Sequence, residues 1–228
     1  MRAEPGQVRP NHATGAAGPS MNQQDDTHFY EPAKGHGLPH DPFNAIVGPR
    51  PIGWVSTQGQ DGSVNLAPYS FFNAFNYTPP IIGFSSTGAK DSLRNARETG
   101  EFVWNLATRE LAEAMNASCA PVPYGTDEFT LAGLEKAPSR LVAPPRVAAS
   151  PVQFECKVSE IVQLKGYHGN PAQAWLVLGE VVAVHIRRSL LKEGIFDTFG
   201  AGVILRAGGP SAYAAIAAEN RFDMRRPG

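Results

Sequence analysis

Within ten residues, "GFSSTGAKDS" (83–92) gathers the hydroxyls Ser85, Ser86 and Thr87, a glycine, and Lys90, Asp91 and Ser92. An apolar run precedes this stretch, and the segment after it has helical composition. A helix start presents unpaired N–H groups and the positive end of its dipole, so an anion there meets donors before any side chain acts. Lys90 adds charge and the hydroxyls add further donors. Charge-assisted hydrogen bonds of this kind contribute roughly 1.5–3 kcal/mol each. The chemistry such a set could do is phosphate binding, although by composition alone a polar connection with a solvated lysine is the commoner origin of such a stretch.

A second stretch, "NLAPYSFFNA" (65–74), breaks the pattern of a half-buried strand. As one strand it would turn Asn65, Ala67, Tyr69, Phe71 and Asn73 one way and Leu66, Pro68, Ser70, Phe72 and Ala74 the other. Both faces mix polar and apolar residues, and Pro68 removes a ladder donor. Such a local inconsistency marks a place where a bound molecule supplies the compensation.

Other chemistries find little support. Gly83 and Gly88 have the separation of a nucleotide P-loop, but Ala89 intervenes before Lys90 and Asp91 stands where a magnesium-holding Ser or Thr belongs. No G-x-G-x-x-G follows a strand, and "RAGGPSAY" (206–213) lacks that spacing. A hydrolase elbow and a Ser/His/Asp order are absent. His28, His36 and His40 have no partner ligands at fixed spacing, so no metal is expected. His168 and His185 read as solvated. Ser56 and Thr57 read as hairpin hydroxyls, and Trp54 and Trp175 as core residues inside strands.

The elements that would position these groups follow from the pattern. "PIGWVSTQ" (51–58), a "GQDG" turn (59–62) and "SVNLAP" (63–68) predict a β-hairpin. "IIGFSS" (81–86) predicts a strand, and "DSLRNARETG" (91–100) a short helix capped by Asp91 or Ser92 and ended by Gly100. "FVWNLA" (102–107) reads as a strand, followed by a helix over 108–119 with Thr108 as its cap. "VQFECKVSEIVQL" (152–164) alternates Val152, Phe154, Cys156 and Val158 against Gln153, Glu155, Lys157 and Ser159. A connection at 167–173 leads into a long strand over 174–186. Many strands, two short helices and no βαβ rhythm predict a mainly β fold, an antiparallel sheet or barrel with helices attached.

The chain has 228 residues, a length that suits one domain, and a formal net charge of −1. That balance favours neither nucleic acid nor an anionic membrane surface. The most apolar stretch, 174–186, is short and carries Glu180, so no membrane span is expected. Cys119 and Cys156 are too few for a disulfide framework and read as packed, reduced thiols of a cytoplasmic protein. The N-terminus shows no apolar core of a signal peptide. Residues 1–40, rich in Gly, Pro and polar residues, read as a flexible extension with Met21 as an alternative start.

In order and spacing, "RPIGWVST" (50–57), "GSVNLAPYSFFNA" (62–74), "PPIIGFSS" (79–86), "KDSLRNARETGEFVWNL" (90–106) and, more loosely, "RAGGPSAY" (206–213) resemble the flavin reductase-like family. These FMN-binding split barrels include flavoredoxins and the reductase components of two-component monooxygenases. The resemblance implies a split β-barrel domain, antiparallel and Greek-key-like, over residues 41–215, with 216–228 as a tail. It implies Trp54, Ser56, Thr57, Asn65, Ala67, Tyr69 and Ser70 as residues beside the flavin ring, and Ser85, Ser86, Lys90, Asp91 and Ser92 around the phosphate. Asp91 would serve through its backbone N–H or as a cap, because its carboxylate repels phosphate.

The implied cofactor is FMN, with FAD as an alternative and NAD(P)H as co-substrate. The flavin carries the redox chemistry, so no catalytic side chain is implied. A homodimer is implied, with a monooxygenase or an electron-acceptor protein as the onward partner. Two other readings stay open: an electron carrier that holds FMN without oxidising NAD(P)H, and a flavin-free split-barrel binding module. The connection at 167–173 and the tail after Tyr213 show nothing that selects a substrate.

Overall fold

Asp61 and Gly62 make the predicted turn. Asp61 Oδ1 accepts from the Ser63 amide at 3.0 Å and from Ser63 Oγ at 2.6 Å, and Gly62 has φ +82°. The structure, a computed structural model, describes residues 26–227. The expectations for residues 1–25, Met21 included, lie outside the described residues. The chain divides between Pro39 and His40. Before that point the described residues form a short 3-10 turn, Pro32–Lys34, with an ion pair between Lys34 and Glu31.

From His40 the elements run α1 (Phe43–Ile46), β1 (Arg50–Pro51), β2 (Gly53–Gln58), β3 (Val64–Tyr69), β4 (Phe72–Asn76), β5 (Ile81–Thr87), α2 (Asp91–Thr99) and β6 (Glu101–Asn105). Then follow α3 (Ala112–Ala117), α4 (Glu128–Leu131), β7 (Lys136–Ala137), β8 (Arg146–Val147), β9 (Val152–Lys165) and β10 (Pro171–Ile186). Short strands β11 (Leu191–Lys192), β12 (Ile195–Phe196), β13 (Ile204–Arg206) and β14 (Tyr213–Ala215) complete the described order.

Seven strands form one antiparallel sheet in the order β3-β2-β6-β9-β10-β5-β4. β3 and β4 are consecutive in the chain yet occupy opposite ends of the sheet. Only Ser70 and Phe71 join them, so the sheet must curl until its two edges meet. The Ser85 amide donates to the Phe71 carbonyl at 2.8 Å, carrying the β4–β5 ladder one pair further, up to that seam. The fold is a split β-barrel with few, short helices.

This seam corrects the reading of 65–74 as one strand: the chain breaks at Ser70–Phe71 into β3 and β4. Within β3, Asn65, Leu66 and Tyr69 are buried and Ala67 and Pro68 partly so, whereas 73–76 are exposed. The Leu66 amide points off the outer edge of β3, to Glu128. Pro68, two residues on, turns its nitrogen to the same side, so the proline costs no ladder bond.

One core cluster gathers Val55, Tyr69, Phe84, Leu93, Ala96 and Phe102, and a second Ile52, Trp54, Leu66, Met115 and Phe129. The first fixes α2, whose Leu93 and Ala96 are enclosed against the sheet. Each fully buried side chain of the Leu or Phe class contributes roughly 1.5–3 kcal/mol.

Several local expectations need correction. The N-cap of α2 is Lys90, with extended backbone, and neither Asp91 nor Ser92 caps it. Asp91 pairs instead with Arg94, one turn on, at 3.3 Å. Gly100 closes the helix as expected, at φ +71°. Thr108 is not a cap, because it bridges to Val203 and is buried, which delays α3 to Ala112. β10 begins at Pro171 rather than 174. On β9, Gln153 and Glu155 are buried rather than wet. A loop over 138–147 covers that face: Glu155 accepts from the amides of Arg140 (2.9 Å) and Leu141 (2.6 Å), and Gln153 Oε1 accepts from Arg146 (3.0 Å). His185, expected to be solvated, lies 2.6 Å from Glu155 through Nε2.

Candidate functional site

The outer edge of β3 faces a cleft of about 560 Å³, within the usual size of small-molecule sites. Its other walls are the end of β5 (Ser85, Thr87), the start of α2 (Lys90, Asp91, Ser92), the segment 118–122, and Glu128 of α4. The cleft brings together eight of the twelve residues the resemblance implies: Asn65, Ala67, Tyr69, Ser70, Ser85, Lys90, Asp91 and Ser92.

The remaining four, Trp54, Ser56, Thr57 and Ser86, are fully enclosed and do not line it. The side chains of Trp54, Thr57 and Ser86 brace the walls from behind. Trp54 Nε1 donates to Ser118 Oγ at 3.1 Å, and Ser118 donates to the Met115 carbonyl at 2.7 Å, which fixes the start of the 118–122 wall. Ser56 Oγ donates to the Pro145 carbonyl. Ser86 Oγ donates to the Gly88 carbonyl at 3.0 Å, shaping the loop that enters α2. Gly88 has φ +92°, a conformation that suits glycine.

Thr57 organises the polar floor. Asn95 Nδ2 donates to Thr57 Oγ1 at 3.2 Å, and Asn65 Nδ2 approaches the same oxygen at 3.5 Å. Asn65 Nδ2 also donates to Ser92 Oγ at 2.7 Å, joining strand to helix. Tyr69 Oη is enclosed and forms no hydrogen bond of normal geometry. Burial pushes its phenol up, and the nearby hydroxyls of Ser92 and Ser86 oppose that rise.

The cleft has two characters. At one end, Lys90, the hydroxyls of Ser85, Thr87 and Ser92 and the first amides of α2 supply donors and positive potential. Along β3 and the opposite wall, Ala67, Pro68, Phe71, Pro121 and Val122 make an apolar slot. An anion joined to a flat apolar body suits this set of groups.

Sequence reasoning missed Glu128, Cys119 and the 118–122 wall. Glu128 is buried, and its Oε2 accepts from the Leu66 amide at 3.0 Å. Burial raises its carboxyl, helped by the charges of Asp91 and Asp127 and opposed by the Leu66 amide. The available signal was Asp127, whose Oδ1 accepts from the amides of Phe129 and Thr130 as the cap of α4. Cys119, expected to be packed, is exposed and lines the cleft, while Cys156 is buried as expected. Among the described residues no cluster of metal-ligating side chains occurs.

Residues 48–202 match the family described as flavin reductase like domain. An uncharacterized protein of Halalkalibacterium halodurans is 37% identical over 164 residues, covering 68% of this chain and 78% of that protein. An uncharacterized protein of Deinococcus radiodurans is 34% identical over 199 residues, covering 82% and 85%. Among solved structures, nitrilotriacetate monooxygenase component B from Bacillus cereus superposes with a TM-score of 0.75 at 29% identity, covering 92% of this chain and 100% of that one. The 2-nitrobenzoate 2-nitroreductase of Pseudomonas fluorescens gives 0.71 at 29% identity, covering 81% and 88%. Flavoredoxin of Desulfovibrio vulgaris shares the fold, with a TM-score of 0.67 at 22% identity and coverage of 78% and 90%.

Proposed function

Because this chain belongs to the flavin reductase-like family and is a flavin-related oxidoreductase, we propose that it binds FMN in the cleft beside β3 and passes hydride from NAD(P)H to flavin. One observation carries the reading: the first turn of α2, with Lys90 and Ser92, opens onto the same cleft as the apolar slot along β3. Phosphate and ring are the two ends of FMN, and the cleft offers a matching wall to each.

Bound FMN would supply the hydride acceptance and onward electron transfer that no side chain here provides. The chain's own part is binding and orientation. Lys90 and the α2 amides hold the phosphate, and Ser85, Thr87 and Ser92 add hydroxyl donors. The small side chains of Ala67 and Pro68 leave β3 open to close approach by a planar ring. The Asn65–Ser92 bond keeps phosphate wall and ring wall in register. Asp91 is turned to Arg94, and that pairing lessens its repulsion of the phosphate. FAD is the alternative occupant.

The likeness to a monooxygenase component B supports a monooxygenase as consumer of the reduced flavin. A homodimer would cover exposed apolar side chains, including Phe75, Tyr77 and Val184, near the β4 edge of the sheet and on β10. No helix among the described residues is long and apolar enough to cross a membrane. Two free cysteines fit the reducing cytoplasm, where we place the protein.

The test is anaerobic mixing of the FMN-loaded protein with NADH and, separately, NADPH. Rapid loss of the oxidised-flavin absorbance, continuing through added free flavin, is the expected result. FMN that stays bound and oxidised with both nucleotides would reject the reductase and leave an electron carrier.

A further inference from the structure

Lys90 is the one cation among the residues lining the cleft, and Asp91 and Glu128 both line it too. A phosphate placed there adds charge of the same sign as both carboxylates. Asp91 has Arg94 as a partner at 3.3 Å. Glu128 has none: among the described residues its carboxyl takes only neutral donors, the Leu66 amide on Oε2 and its own backbone amide. The other groups facing it do not help. Asp127, beside it on α4, is itself acidic and already engages Lys136 at 2.5 Å. Tyr69, on β3, is neutral and enclosed, and Cys119 borders the cleft from the opposite wall.

We propose that Glu128 is a specificity-determining residue of the cleft that takes up a proton when a phosphorylated flavin binds, so that FMN binding is coupled to pH and riboflavin binding is not. The proposal rests on the FMN reading above. In the free protein the carboxyl is buried, away from any cation of its own, and burial already raises its pKa. A phosphate arriving at α2 strengthens that preference by like-charge repulsion. Affinity for FMN therefore falls as rising pH removes the proton. The ligand's own phosphate works in the opposite direction, because its second ionisation near pH 6 favours Lys90 binding at higher pH. A variant that changes Glu128 alone separates the two effects.

Glu128→Gln keeps an oxygen for the Leu66 amide and fixes the neutral state. Fluorescence titrations of FMN and riboflavin on both proteins, from about pH 5.5 to 8.5, provide the test. The expected result is an FMN affinity advantage of E128Q over wild type that grows with pH to about tenfold, the equivalent of one unit of pKa coupling. For riboflavin the two proteins should stay within about twofold at every pH. An E128Q-to-wild-type ratio for FMN that does not change with pH would overturn the proposal.

Should E128Q fail to fold, calorimetry of wild type at about pH 7.5, above the phosphate's ionisation, in two buffers of different ionisation enthalpy, counts the protons. Net uptake with FMN and none with riboflavin supports the proposal, and equal counts overturn it. Failure of the flavin reading itself looks different: neither ligand quenches saturably at any pH.

Discussion

Asn65 Nδ2 donates to Ser92 Oγ over 2.7 Å, tying the edge strand of the sheet to the first turn of α2. Both residues are buried, and both line the cleft. The bond sets the spacing between β3 and the start of α2, the walls proposed for the ring and the phosphate.

Asn65→Ala should therefore act on stability and on ligand binding together. It strands the Ser92 hydroxyl and removes one donor near Thr57, a loss of about 1–3 kcal/mol. Urea unfolding should show the lower midpoint, and FMN titration a weaker Kd. A stable N65A protein with unchanged FMN affinity would show that the bond does not position the site.

Lys90→Ala should weaken FMN far more than riboflavin. Removing one charge-assisted contact of about 1.5–3 kcal/mol corresponds to a loss of about 10- to 150-fold. Riboflavin has no phosphate and should lose little. Equal losses for both ligands would move the phosphate away from α2.

Much of this arrangement is legible in the sequence, for identifiable reasons. The Asp61-Gly62 turn, the β2–β3 pairing and the end of α2 at Gly100 depend on contacts within about sixteen residues, where local pattern decides. That Ser85, Lys90 and Ser92 would meet at one helix start was readable because hydroxyls, lysine and helix start are contiguous. The split between β3 and β4 was not. It depends on sheet closure, which sends two adjacent segments to opposite edges and leaves Ser70–Phe71 as the seam.

Nor was Glu128 readable, since it lies 62 residues from the Leu66 amide it serves. The alternation on β9 misplaced Glu155 for a similar reason, because the covering loop is irregular and carries no periodic signal. Trp54 read as core from its strand, and it is enclosed. Only the resemblance assigned it to a ring, and its donor goes to Ser118 instead.

Glu155 makes stability depend on pH at the acid end. Burial would raise its carboxyl, but the amides of Arg140 and Leu141 and the His185 ring more than offset this and hold it below the usual range. A carboxyl with a depressed folded pKa contributes stability above its unfolded value, near pH 4.3, and loses it as pH falls through the folded value. Glu155→Ala should cost about 3 kcal/mol at neutral pH, with the deficit shrinking below about pH 4. Urea midpoints of both proteins across pH measure it, and a deficit independent of pH would contradict the carboxylate role.

The two thiols should separate cleanly. Cys119 is exposed beside the cleft, but its sulfur is turned partly inward against the Met115 carbonyl, and that partial shielding pushes the thiol up against the opposing charges of Lys90 and Arg206. Cys156 is enclosed, and burial drives its thiol far above the ordinary value. A thiol reagent should label Cys119 alone in the native protein, faster as pH rises, and both residues in urea. FMN should slow the labelling of Cys119. Unchanged labelling at saturating FMN would mean that the ligand leaves the 118–122 wall uncovered.

We propose the cleft between β3 and the start of α2 as a flavin site. Fluorescence titration of FMN with the purified protein tests it most directly. Saturable quenching that reaches one FMN per chain, and is weakened by Lys90→Ala, is the predicted result. No saturable quenching, from protein shown to be folded, would contradict it.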